Sequence, residues 1–269
     1  MDKIAIISDI HGNVPALEAV LNDIKEREIR RIVCLGDLVG KGPGSAEAVD
    51  RLREVCETIV QGNWDLGITY KQDTAGGIWQ QEMLGSERLA YLAGLPFSVD
   101  IPVSGRLLRL FHASSTSIFH RVKRKSPKEE RLALFRNTEA TGYASAPYTP
   151  DIVGYGDIHV SFMLTMKNPH QAAIAGSDAP EEGLVLFNTG SVGCPYDGIP
   201  QACYTVMEGR FDAELSRDKR SGFAVQFVRV PYDIPRAVRL AYEADMPGAR
   251  RYELEITTAA VHKELDELG

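Results

Sequence analysis

Three short apolar runs near the N-terminus, residues 3–8 (KIAIIS), 32–35 (IVCL) and 58–61 (TIVQ), alternate with segments of helical spacing. Runs this short, apolar and β-branched read as buried strands. Between the first two, Leu17, Val20, Leu21 and Ile24 fall at i, i+3, i+4 and i+7, one face of a helix with Pro15 in its first turn. Between the second and third, Ser45 is placed to cap a helix over residues 46–52. Strand–helix–strand–helix–strand with short connections constrains the chain to an α/β fold, its parallel strands joined by right-handed crossovers.

Further along, residues 76–93 read as a helix, and 99–103 with 107–111 as a hairpin around Ser104-Gly105. Residues 126–138 have helical character, and 141–150, with Gly142, Pro147 and Pro150, form a loop. The chain then turns strand-rich, at 152–155, 160–165, 184–188, 202–207 and 224–230. A helix is expected over 234–244 and another at the end of the chain. Two sheets packed face to face with helices outside are therefore expected. No long linker or low-complexity tract interrupts the sequence. It reads as one domain over 1–269, with 234–269 as a C-terminal helical extension.

The 269 residues, 44% of them hydrophobic, are enough to bury a substantial core. No run of about 18 apolar residues offers a membrane span, and the N-terminus lacks the long apolar stretch of a signal peptide. Cys34, Cys56, Cys194 and Cys203 have no CxxC spacing, so they read as reduced structural thiols of a cytoplasmic protein. Cys34 lies in a buried strand and is assigned to the core. A net charge of −7 argues against binding extended nucleic acid. A small anionic substrate remains open, because bound metal ions invert the local field.

In open α/β sheets ligands bind at the carboxyl ends of the strands. Those ends carry Asp9 and His11, then Asp37, then Asn63 and Asp65, then His112, then Asp157 and His159, then Asn188. One aspartate or histidine at a strand end is commonly a cap or turn former. A series of them, with adjoining glycines and no lysine or arginine interleaved, is a ligand set, since buried charges must be paired or bind metal. Mixed nitrogen and oxygen ligands suit Mn, Fe, Zn or Co better than Ca. Two such ions about 3.5–4 Å apart form a clamp for phosphoryl transfer.

The motifs SDIHGN, LGDLVG, QGNWD, FHAS and YGDIH, followed by FNTGSVG, resemble those of the calcineurin-like metallophosphoesterases over roughly residues 3–195. The resemblance is to the small bacterial branch that includes phosphodiesterases and diadenosine-tetraphosphate hydrolases. It implies two mixed β-sheets sandwiched between helices. It also implies that Asp9, His11 and His159 hold one metal, that Asp37 bridges to a second, and that Asn63, His112 and the residue at 157 complete the second site. The implied cofactors are two divalent transition metals, manganese foremost, with iron, zinc, cobalt or nickel as alternatives. Asp37 and Asn63 would serve catalysis directly, Asn63 by orienting phosphate, and a metal-bridging hydroxide would attack phosphorus.

Three positions depart from the family pattern. Asp157 stands where relatives have histidine in GHxH, Trp64 where a histidine often follows the asparagine, and Thr189 where proline is usual. Asp157 removes one positive charge from the site, relative to a neutral imidazole, and is a shorter and harder ligand. It binds the second metal directly or through water, or that site is weakened. Trp64 has no acidic proton for a leaving group. It either stacks on a base or is a partly buried core aromatic.

The island HRVKRKSPK at 120–128 is basic in an acidic chain and follows His112, so Arg121 and Arg124 are candidates to overhang the site and bind phosphate. A solvated face is the alternative. GKGPGS at 40–45 lacks the spacing of a phosphate-binding loop. Asn13 is expected to cap the first helix. Taken with the resemblance, these features imply a dinuclear metal-dependent phosphoesterase acting on a small phosphorylated substrate; the resemblance implies a phosphodiester or a dinucleoside polyphosphate, with a nucleotide among the candidates. A protein phosphatase is a second enzymatic reading. A metal- or nucleotide-binding regulator with weakened catalysis is the reading from a different class, motivated by Asp157 and Trp64.

Overall fold

The computed structural model describes residues 1–167, 183–211, 214–216 and 220–262. His170 and residues 263–269 lie outside that set. The N-terminal alternation forms as expected: β1 (Asp2–Ile7), α1 (Val14–Glu26), β2 (Arg31–Cys34), α2 (Ser45–Val55) and β3 (Thr58–Ile59). β1, β2 and β3 run parallel, and β9 (Ala202–Gly209) and β10 (Ala224–Val230) add antiparallel on the other side, giving the order β10-β9-β1-β2-β3. The second sheet is also mixed, in the order β4-β5-β6-β8-β7, from β4 (Ser98–Val103), β5 (Arg106–Phe111), β6 (Ile152–Tyr155), β7 (Phe162–Lys167) and β8 (Gly183–Asn188).

The two-residue period of a strand decides which layer each side chain joins. From β1, Ile4 and Ile6 enter the space between the sheets, with Val33, Leu35, Leu108, Leu110, Ile152 and Phe187. Ala5 and Ile7 face the other way, onto Leu17, Val20 and Ile24 of α1 and Ala48 and Leu52 of α2. That two-sided burial is why the run reads as continuously apolar. On the outer face of the second sheet, Phe111, Val153, Tyr155 and Leu186 pack with Val122, Leu134 and Phe135. Arg109 is fully buried in β5 and is satisfied by both oxygens of Asp100 (2.7 and 2.8 Å), Asn137 Oδ1 (2.9 Å) and the Arg136 carbonyl (3.2 Å).

The differences from expectation are local. α2 is capped by Gly44, not Ser45, whose hydroxyl instead accepts from the Gly40 amide at 3.2 Å. β7 starts at Phe162 rather than 160, because the chain from Asp157 to His159 is held in turns around the candidate site. The helix expected over 126–138 shortens to α5 (Lys128–Ala133), entered from Pro127. α3 (Asn63–Gly67) was too short for its period to show. α4 (Ala75–Ala93) contains a break at Gly85. Two C-terminal helices, α6 (Ile234–Glu243) and α7 (Ala249–Thr258), pack Ala237, Ala241, Tyr252 and Ile256 against Cys194 and Trp79. They therefore lie against the loop that follows β8 and against α4.

Candidate metal centre

The loops after the parallel strands of both sheets are tied to one another by main-chain hydrogen bonds. Asp9 donates to the Gly36 carbonyl, Gly156 to that of His112, and Gly193 to that of Asp9, at 2.8 to 3.0 Å. Five residues that carry candidate ligands adopt left-handed backbone: Asp9 (φ 55°), His11 (50°), Asp37 (54°), Asp157 (65°) and His159 (57°). Aspartate and histidine tolerate this region better than most side chains. The conformation still costs about 1–3 kcal/mol per residue and persists only where surrounding contacts enforce it. Gly156 is required by close approach, since a Cβ there would sit 2.1 Å from Ser8 Oγ and 2.7 Å from Asp9 Oδ2.

Asp9, His11, Asp37 and His159 bring one ligand atom each within 4.8 Å of one another, all buried. The protonation states follow from their partners. His11 Nδ1 lies 3.0 Å from the Val39 carbonyl and His159 Nδ1 faces the Cys194 carbonyl. A carbonyl only accepts, so both Nδ1 atoms carry hydrogen, and in the neutral imidazoles both Nε2 atoms present lone pairs. Those two Nε2 atoms face each other at 3.2 Å. Asp9 Oδ1 lies 3.3 Å from His159 Nε2, and it is buried without a hydrogen-bond partner. Lone pairs converging in this way call for a proton or a cation between them. Burial opposes charging His159, but the Asp9 carboxylate outweighs it and pushes the metal-free imidazole up to about 10. His11 is held low by burial and by His159. The donor set therefore fits a divalent transition metal.

A second group adjoins the first through Asp37. Its Oδ2 lies 3.6 Å from His11 Nε2 and its Oδ1 3.4 Å from His112 Nε2. His112 Nδ1 donates to the Leu35 carbonyl at 2.7 Å, leaving Nε2 toward Asn63 Oδ1 at 2.9 Å. Burial opposes the charge on His112 too, but Asp37, Asp9 and Asp157 together push it up to about 10.

Asp157 is where the structure adds most to the sequence expectation. Its carboxylate is held by Arg121 in a two-pronged pair, Nε to Oδ2 at 2.9 Å and Nη2 to Oδ1 at 2.8 Å. Oδ1 is also 3.9 Å from His112 Nε2, so any metal bound there would share that carboxylate with Arg121. Arg121 thus overhangs the cluster with its side chain half exposed. Arg124 does not join it. It is exposed, its guanidinium has no hydrogen-bond or ion-pair partner among the described residues, and its carbonyl accepts from Arg131 at 3.2 Å.

Trp64 is neither a core side chain nor free. It is 40% exposed, sits edge-on to His11 at 5.5 Å between ring centres, and its backbone amide donates to Asp37 Oδ1 at 2.8 Å. Gly40 (φ 88°) is needed beside it, since a Cβ there would lie 2.3 Å from the indole. Asn13 caps α1 as expected, accepting from the Ala16 amide at 3.2 Å.

Three residues that matter here, Tyr196, Glu255 and Lys41, had no role assigned from sequence, and a fourth, Asp65, stood only in the series at strand ends. Asp65 accepts from the amides of Asp37 (2.8 Å), Leu38 (2.9 Å) and Gly62 (3.0 Å), locking the loops after β2 and β3 together. Burial and the neighbouring Asp37 raise its pKa to about 7. Its position two residues after Asn63 in QGNWD, the third of a short helix, was the available signal. Tyr196 stacks on His159 at 4.6 Å and donates to Glu255 at 2.6 Å, while Lys41 donates to Tyr196 at 2.7 Å. Glu255 of α7 lies 214 residues beyond Lys41, a pairing no local pattern reveals.

The sequence profile of the calcineurin-like phosphoesterase superfamily domain matches residues 3–210. An uncharacterized protein of Methanocaldococcus jannaschii is 31% identical over 261 residues, covering 91% of this chain and 93% of that protein. Phosphodiesterase YfcE of Escherichia coli is 33% identical over 101 residues, 33% of this chain and 55% of its own length. Among solved structures, a metallophosphoesterase from Sphaerobacter thermophilus superposes with a TM-score of 0.70 at 25% identity, covering 96% of this chain and 99% of that one.

Proposed function

The chain belongs to the calcineurin-like phosphoesterase superfamily, and from that premise we propose that it is a dinuclear metal-dependent hydrolase of phosphodiesters or dinucleoside polyphosphates. The observation that carries the reading is the pair of facing Nε2 atoms of His11 and His159, 3.2 Å apart beside the unpartnered Asp9 Oδ1. Asp9, His11 and His159 would hold one ion, Asn63 and His112 a second, and Asp37 has one oxygen toward each group. When bound, divalent transition metals supply the Lewis acid that polarises a phosphoryl oxygen and the low pKa that activates water.

The chain's own residues do the rest. Arg121 spends Nε and one Nη2 hydrogen on Asp157, so Nη1 remains to donate to phosphate oxygens. The guanidinium also returns the positive charge that aspartate at 157 removes, so the site still attracts an anion. Asp157 is accordingly a positioning residue for Arg121 as well as a candidate ligand. Asn63 orients phosphate beside His112. Trp64 cannot protonate a leaving group, which favours leaving groups that need little help, such as a nucleotide phosphate.

The test is metal content, by elemental analysis after manganese loading, together with hydrolysis of bis(p-nitrophenyl) phosphate. The expected result is two ions per chain and manganese-stimulated turnover, both lost in Asp9→Asn. The pairing of Arg121 with Asp157 also favours a second reading, a metal-binding regulator with a weakened second site. One ion per chain without turnover, and turnover gained in Asp157→His, would establish that reading instead.

A further inference from the structure

A cavity of about 690 Å³ opens beside the metal cluster, between α3 and α4 on one side and α7 on the other. Asn63, a proposed ligand, lines it, so the cavity is continuous with the candidate centre. Trp64, Trp79 and Tyr252 also line it, and these are the only two tryptophans of the chain. Gln72 and Thr74 add polar side chains to its lining. Lys41 stands at the boundary with the cluster, its Nζ 5.4 Å from the centre of the Trp64 ring.

We propose that this cavity is a nucleoside subsite that holds the base of a nucleotide whose phosphate lies at the metal centre. The proposal rests on the phosphoesterase reading for the placement of the phosphate, but not for the binding of the base. The size is that of a small-molecule pocket. Flat aromatic rings match indole and phenol walls, and stacking on them tolerates any base. A base also carries edge donors and acceptors, and polar side chains, Gln72 and Thr74 among them, line the same cavity. Lys41, which also meets Glu255 at 3.4 Å, is a cation at the boundary that a phosphate on the nucleoside would pass on its way to the cluster. The C-terminal helices then have a function: α7 supplies part of the wall through Tyr252, which packs with Trp79.

Both tryptophans lie at the cavity, so their fluorescence reports it. Adenosine, AMP and ribose 5-phosphate are titrated into the full chain with excitation at the red edge of indole absorption, once with EDTA and once with manganese. Adenosine and AMP are expected to quench in both conditions, and ribose 5-phosphate in neither. The variant Gly76→Phe places a ring in the cavity from α4, where a Cβ meets nothing within 4 Å. With an unchanged thermal midpoint, it should weaken the quench by about tenfold or more in apparent Kd. Absence of quenching by adenosine and AMP would overturn the proposal, as would equal quenching by ribose 5-phosphate. Hydrolysis of bis(p-nitrophenyl) phosphate is assayed on the same manganese-loaded sample. Turnover without nucleoside binding would remove the subsite and leave the phosphoesterase reading standing. Nucleoside binding without turnover would do the reverse.

Discussion

Asp157 shows how much one side chain's meaning depends on its neighbour. As a letter in GDIH it is a lost imidazole. In the structure it is the anchor of a half-exposed arginine poised over a buried cluster. Arg121→Ala leaves a carboxylate that is only 4% exposed without its cation. Steady-state kinetics on a phosphodiester should show KM raised by about tenfold, with kcat changed less, as for loss of binding common to ground and transition states. Arg121→Lys should not rescue it, because a lysine cannot reproduce the two-pronged pair. Asp65 is a second residue whose worth is positional. Asp65→Ala strands three buried amide donors, and at about 1–3 kcal/mol for an unmet buried group the urea midpoint should fall clearly.

At the scale of elements, α7 is fastened to the loop after β2 by Glu255, which meets Lys41 at 3.4 Å, Arg251 at 3.0 Å and Tyr196 at 2.6 Å. Burial alone would raise its pKa, but the charge of Lys41 and the hydrogen bonds of Tyr196 and Arg251 outweigh it and hold it below 4.5. A depressed carboxylate contributes stability in full above its unfolded value, and that contribution is lost as pH falls through the lower folded value. Glu255→Gln should therefore unfold at lower urea than the native chain at neutral pH, with the gap narrowing in acid below about pH 4.5. A gap independent of pH would mean that the carboxylate's charge plays no part. The face of α1 that builds the core was legible from spacing, because Leu17, Val20 and Ile24 repeat often enough to be seen. α3 was not, because five residues hold little more than one turn and its anchoring bonds run to Asp37 and Leu38, in another loop.

For the whole molecule, the candidate ligand cluster joins loops from both sheets, so a metal bound there would be coupled to global stability. A ligand that binds only the folded state at about 100 times its Kd adds about 2.7 kcal/mol. For a chain of this size that is a rise of roughly 5–10 °C in thermal midpoint. Manganese should produce a shift of that order, EDTA should reverse it, and Asp9→Asn should abolish it, as read by calorimetry. In the metal-free chain His112 and His159 are raised from 6.5 to about 10, so protonation stabilises that state below pH 6.5 and is lost as pH rises through about 10. A metal held by these imidazoles would have to displace those protons, so the manganese-induced shift should shrink as pH falls. A constant shift between neutral and mildly acidic pH would show that these imidazoles are not ligands.

What the sequence determined by itself was whatever repeats or recurs along the chain. The strand alternation, the two-sheet architecture and the series of aspartates and histidines at strand ends all follow from periods of two and 3.6 and from short motifs. The tertiary structure alone decided which partner each of those side chains met. Arg121 reaches Asp157 across 36 residues, and Glu255 reaches Lys41 across 214. The cavity walled by Trp64, Trp79 and Tyr252 arises only when α3, α4 and α7 are packed together. Local periodicity reports the face a residue presents. It holds no record of what the folded chain brings to that face, and there the charge of the site and its shape are set.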